Sequence, residues 1–331
     1  MAHFASKRFN YWGQLGTLTA FCGVGLILGS FFSLIPIAHK LDFKSFTNGG
    51  STKIMANLMV PENATPLRWM QFISTLFLFF LPPVFYALVC HRKPSLHLGF
   101  KHTVSLPQII IVVLLIVACL PVVDALQELT LKFPWSKATL ARFAAAELDY
   151  DKEIAIMARM NNFTDYLIAM VIIAFLPALF EETFFRGGIQ NLLTRWFKMP
   201  VLAIIITSII FSAVHGSYLG FLSRAALSIV LGLIYYKTGN LWLSAIGHFF
   251  NNAFGVSVLY FSSKPGIKMD TAKINDHLPL WTGIAGIAAI YGLFLLFEQV
   301  SKKDIDRPGE EIIIPGDIDT KNPFLTDTHP A

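Results

Sequence analysis

The sequence predicts an all-α, polytopic membrane protein, a bundle of about eight transmembrane helices. Composition is the first observation: of 331 residues, 54% are hydrophobic and only 14% charged, whereas a soluble domain carries about 25% charged residues. The second is a clearly positive mean hydropathy, with 30 phenylalanines in the chain. The third is the recurrence of apolar runs long enough to cross a bilayer, where only a helix can satisfy its backbone within one segment.

The first run, 14–38, follows Lys7 and Arg8. It is longer than the apolar region of a signal peptide and lacks a small-x-small cleavage site, so it reads as a retained span. Further runs lie at 71–90, 107–125, 164–185, 199–216, 219–237, 241–260 and 280–298. Residues 1–298 thus form one multi-span membrane domain, with a chemically interesting core at about 164–260. Residues 299–331 are polar, Pro-containing and aperiodic, and read as a disordered tail. Between the third and fourth runs, LARFAAAELDYDKEIAIMARM has apolar residues near helical spacing. It is expected to form either an amphipathic helix on the membrane or across the bundle, or a solvated helix capping the outer face.

The net charge of +5 does not indicate a nucleic-acid partner, because Lys and Arg collect on the cytoplasmic side of membrane proteins. If the spans alternate, Lys7, Arg8, Arg92, Lys93, Lys101, Arg195, Lys198, Lys237, Lys302 and Lys303 share one side, which places both termini in the cytoplasm. Cys22, Cys90 and Cys119 all lie in apolar runs without metal or disulfide spacing and read as small buried hydrophobes.

Ionisable groups inside spans are expensive, and each is a functional-site candidate. In PALFEETFFRGG, Glu182 and Arg186 stand four apart on one helical face, in the order that favours an ion pair. Glu181 is turned about 100° away. One carboxylate is therefore neutralised while its neighbour is left for other work, such as general-base chemistry. Pro177 removes a backbone donor and favours a kink, and Gly187 and Gly188 allow close helix approach. His215 ends the fifth run. His248 lies inside the seventh with Asn252 one turn on, and such a pair needs partners or a purpose. One or two carboxylates, two histidines and an asparagine can activate water and stabilise a tetrahedral intermediate. Arg224, near the start of the sixth run, is left either to pair with an acid or to snorkel. Asp124, at a span end, reads as interfacial.

EETFFRG at 181–187, FSAVH at 211–215 and YKTGNLWLSAIGHFFNN at 236–252 resemble the three motifs of the CAAX-protease and bacteriocin-processing family. These membrane-embedded proteases, also called Abi proteins, are related to the Ras-converting prenyl-protein endopeptidase. The resemblance implies an endopeptidase of the bacterial cytoplasmic membrane that acts on a membrane-associated or lipidated peptide. By it, Glu181 is the catalytic carboxylate and His215 its partner in activating water. His248 and Asn252 stabilise the oxyanion, and Glu182 and Arg186 fix the geometry. No cofactor is firmly implied. Glu181, His215 and His248 could make a zinc site, but HExxH is lacking, and the metal-free scheme is favoured. A proton- or ion-coupled transporter and a non-catalytic immunity or scaffold protein are the alternatives.

One expectation conflicts with the rest. Counting ~1.5 Å per residue from the ends of the apolar runs puts Glu181 near the inner side and His215 near the outer. They can meet only if the fourth helix continues past Arg186 or the fifth starts deeper than Met199.

Overall fold

A computed structural model describes residues 9–40, 58–101, 103–263 and 277–305. Lys7 and Arg8, parts of the loop after the first run and most of the 299–331 tail lie outside them. The described residues form helices and no strand. They are α1 (Tyr11–Ser33), α2 (Pro61–Cys90), the short α3 (Pro94–Leu98), α4 (Leu106–Lys132), α5 (Lys137–Met157), α6 (Phe163–Phe197), α7 (Pro200–Ala213), α8 (Phe221–Thr238), α9 (Leu241–Ser262) and α10 (Trp281–Ile305).

Every apolar run is helical. By length and composition, five helices can cross a membrane: α1, α2, α4, α6 and α10. Helix α7 is shorter. Helices α8 and α9 are not among the five; they carry Arg224 and Lys237, and His248, Asn251 and Asn252, respectively. On α9 the polar residues that lower its hydropathy line the site. The chain is an integral membrane protein, and many of its large apolar side chains face outward, including Ile27, Ile110 and Ile284, as a lipid solvent allows.

The centre is α4, against which α8, α9 and α10 pack. Their shared core holds Val112, Leu115, Ile116, Leu231, Ile234, Leu243 and Phe297. A Cβ on Gly286 would come within 2.8 Å of Val122 and 2.9 Å of the Ala118 carbonyl, so glycine sets the close approach of α10 to α4. On the other flank α1 packs on α2. Cys90 and Cys119 are buried and Cys22 half-buried, and no disulfide joins the three. At the end where α2, α6 and α8 finish, Asn191 bonds the His97 carbonyl and Arg195 bonds Gln14 and Tyr86. His91 and His97 stack there with ring centroids 3.4 Å apart. Asp124, at the opposite end of α4, accepts from His277 and the Leu278 amide.

Helix α5 takes the first of the courses open to it: it lies across the bundle. Arg68 of α2, itself buried, donates to the carbonyls of Met157 and Arg159 at 2.7 and 2.6 Å, satisfying groups that a helix C-terminus leaves open. Nearer its other end, Phe143 stacks on Tyr218 at 4.7 Å, and Ser217 donates to the Glu147 carboxylate.

Candidate functional site

The site begins with the way α6 passes its proline. Pro177 offers no N–H to the Ile173 carbonyl, and the helix widens into a π turn over Met170–Phe175 just before it. An α stretch, Leu176–Glu182, follows, and then a second π turn, Thr183–Gln190. Helix α2 repeats the device, with a π turn at Leu76–Phe80 just before Pro82 and Pro83. Such turns re-aim side chains and concentrate at functional sites. Glu181 and Glu182 end the α stretch between the two on α6.

The helix does not stop at 185. Arg186 donates to the Ser228 carbonyl and hydroxyl at 2.9 and 3.0 Å, and Gln190 donates to the Gly232 carbonyl at 2.9 Å. Polar residues that look like a span end thus find partners on α8. A Cβ on Gly187 would stand 2.9 Å from the Leu98 carbonyl, so this glycine seats α3 against α6. The continuation resolves the conflict in depth. At ~1.5 Å per residue, Glu181 lies about 24 Å from the Phe197 end of α6, and His215 lies about 22 Å from Pro200 at the adjacent start of α7. The two face each other.

Glu182 and Arg186 are both fully buried and pair at 2.9 Å. The same Glu182 oxygen accepts from His248 Nδ1 at 3.0 Å, and the Arg186 guanidinium lies 5.2 Å from the centre of the Phe211 ring. A carboxylate paired with Arg only accepts, so His248 carries its proton on Nδ1. His215 Nδ1 lies 2.7 Å from the Phe211 carbonyl, which also only accepts, and the same tautomer follows. Both histidines therefore turn Nε2 towards Glu181. His215 Nε2 stands 3.8 Å and His248 Nε2 3.9 Å from Glu181 Oε2. Glu181 is 7% exposed, and its Oε2 has no hydrogen-bond partner. In their neutral forms three acceptors converge, at separations too long for a direct hydrogen bond and suited to a bridging oxygen.

These atoms lie at a cavity of about 600 Å³. Its walls include Ser74 and Thr75 of α2, Tyr150 and Ile154 of α5, and Asn251 and Asn252 of α9. Asn252 is not in the Glu181 cluster. It lines the cavity one turn from His248, with Oδ1 accepting from Asn251 at 3.3 Å, which leaves Nδ2 as its donor. Arg224 donates to the Ser217 carbonyl at 3.0 Å and lies 5.5 Å from the centre of the Tyr150 ring. It braces α5 and, among the described residues, forms no ion pair with an acid.

The donor set Glu181, His215 and His248 has zinc-ligand chemistry, with each Nδ1 held as in zinc sites. The spacing does not fit: ligands about 2.0–2.2 Å from a tetrahedral ion stand about 3.3 Å apart, closer than these. Among the described residues, no group of three or more His, Cys, Asp or Glu is placed to hold a metal.

The motifs omit some of what builds the site. Ser228 anchors Arg186, the Phe211 carbonyl orients His215, and α5 supplies a wall. A serine inside an apolar helix and a backbone carbonyl give no sequence signal, because each acts only through a neighbour brought in by folding.

The fold and site define a class: an integral membrane helix bundle with a buried Glu–His–His cluster facing a cavity. Comparison with known proteins is more particular. Residues 163–254, the segment that holds all three motifs, match the family described as type II CAAX prenyl endopeptidase Rce1-like. The chain is also similar to a Bacillus subtilis (strain 168) protein described as the uncharacterized protein YpbD. The two are 34% identical over 88 residues, which cover 25% of this chain and 42% of that relative. No solved structure matches the chain.

Proposed function

We propose that this protein is an intramembrane endopeptidase that hydrolyses a peptide bond of a membrane-associated protein or peptide with a water activated by Glu181. The observation that carries the reading is the partnerless, buried Oε2 of Glu181 with two imidazole Nε2 atoms turned towards it beside a cavity. A water there donates one hydrogen to Glu181 and the other to His215, and its oxygen is free to attack a carbonyl carbon. Glu181 takes the proton as the C–O bond forms and passes it to the leaving nitrogen as the C–N bond breaks. His248, when protonated, donates from Nε2 to the oxyanion, with Glu182 as its counter-charge. Asn252 adds a second donor from the cavity wall. The match to the Rce1-like family supports the same reaction class.

Orientation follows from the basic residues: both termini face the cytoplasm of a bacterial cell, and the cavity lies in the outer half of the membrane. The substrate enters beneath α5.

The test compares the membrane peptidome of cells carrying the wild type with that of cells carrying Glu181→Gln. Specific membrane peptides or proteins should accumulate uncleaved with the variant. An unchanged profile with lost ion flux would make the protein a transporter instead. Stoichiometric zinc in active protein, with activity lost to a chelator and restored by zinc, would overturn the metal-free scheme.

A further inference from the structure

The cavity has a charge pattern that hydrolysis alone does not explain. Helix α5 brings two acids to the cavity, Glu153 partly buried and Asp151 exposed at its rim. Tyr150, Asp151, Glu153, Ile154 and Met157 line the cavity, while Asp149 and Lys152 do not and pair loosely at 3.9 Å. An amphipathic helix over an apolar space normally turns its charges outward, yet Asp151 and Glu153 are at the wall. Neither has an ion-pair or hydrogen-bond partner among the described residues. Burial raises the carboxyl pKa of both, and Glu147 adds to the rise at Asp151. With Glu181, three carboxyl groups face one space, and no Lys or Arg is among the described residues that line it. The fixed cations nearby are engaged: Arg186 by Glu182 and Ser228, and Arg224 by Ser217 and Tyr150.

Glu181 supplies the independent sign that a ligand belongs here, since it is more than nine-tenths buried with Oε2 unpartnered at the cavity. Resting on the endopeptidase reading, we propose that Asp151 and Glu153, set opposite Glu181 across the cavity, select a substrate segment bearing a Lys or Arg side chain beside the scissile bond. The cation lies towards the α5 wall while the neighbouring carbonyl reaches Glu181. Uncharged Gln71, Ser74 and Thr75 on the facing α2 wall offer hydrogen bonds but no competing charge.

The experiment uses the full chain in lipid nanodiscs and three labelled decapeptides that differ only in a central Lys, Gln or Glu. Binding is measured to the Glu181→Gln protein and cleavage with the wild type. The Lys peptide should bind about tenfold more tightly than the Gln peptide, and the Glu peptide more weakly still, an effect that salt reduces. Adding Asp151→Asn and Glu153→Gln should bring the Lys-to-Gln ratio close to one, whereas Asp149→Asn on the other face should leave it unchanged. The swap Asp151→Glu with Glu153→Asp should keep the preference, which separates charge from a structural role. Equal binding of the three peptides, or a preference that survives the double neutral variant, overturns the proposal. Selective binding without cleavage by the wild type keeps the charge selection and removes the endopeptidase reading; charge-blind cleavage does the reverse.

Discussion

Glu181 and Glu182 are neighbours in sequence and identical in chemistry, yet their surroundings are opposite. Around Glu182 one oxygen is held by Arg186 and His248, Arg186 is held by Ser228, and nothing is exposed. Around Glu181 two imidazoles stop short of contact and a cavity opens. A carboxylate buried with its partners fixes a frame. One without a fixed counter-charge, beside a cavity, is held ready for something else, because such a carboxylate at lipid depth is costly unless its site is used. The helix repeat separates the two roles, turning adjacent side chains about 100° apart.

The contrast can be broken most sharply at Glu181. Glu181→Gln keeps the size and the fold but removes the base. Turnover should fall about 10²–10⁴-fold, while thermal unfolding in detergent stays within a degree or two of wild type. A large loss of stability would show that Glu181 belongs to the frame. Glu182→Gln should do the opposite in kind: it leaves Arg186 buried without its counter-charge, at a cost of about 3–5 kcal/mol. Chemical denaturation should register that whether or not any substrate is present. A smaller effect is expected from Ser228→Ala, which removes the hydroxyl acceptor from Arg186 but leaves the Ser228 carbonyl and Glu182, and should cost about 1–2 kcal/mol. Phe143→Ala loosens α5 through the lost Tyr218 stack, worth about 0.5–1.5 kcal/mol. It should appear as faster proteolytic nicking of α5, with the Glu182 frame intact.

The smallest effect concerns pH. Asp151 and Glu153 have carboxyl pKa values raised by burial, so the folded chain binds protons more tightly there than the unfolded one. Their contribution to the seating of α5 is complete below the ordinary carboxylate range and is lost as pH rises through the raised folded values. Hydrogen exchange in α5 should accordingly quicken over that window, and Asp151→Asn with Glu153→Gln should flatten the dependence.

Much of this was legible in the chain. The Glu182–Arg186 pair follows from i,i+4 spacing, and the burial of His248 from its place inside an apolar run. The depth of the site was not legible. Hydropathy charges each polar residue its cost in lipid, and Arg186, Gln190 and Asn191 together read as the end of a span at 185. Folding removes that cost, because Ser228, Gly232 and His97, from 42 to 94 residues away, satisfy those groups. The helix therefore runs on to Phe197. The π turn before Pro177 was not legible either, because widening the helix there depends on how the missing donor is accommodated in the folded chain.

By itself, the sequence determined what depends on composition and short spacing: a membrane-embedded helical bundle, the ion pair on α6, and three motifs bearing a carboxylate and two imidazoles. Tertiary structure decided what depends on partners distant in the chain. It set Glu181 level with His215, fixed both imidazole tautomers through the Phe211 carbonyl and Glu182, and laid α5 across the cavity with Asp151 and Glu153 along it. Helical periodicity tells each side chain which face it shares, but only packing tells it what it meets.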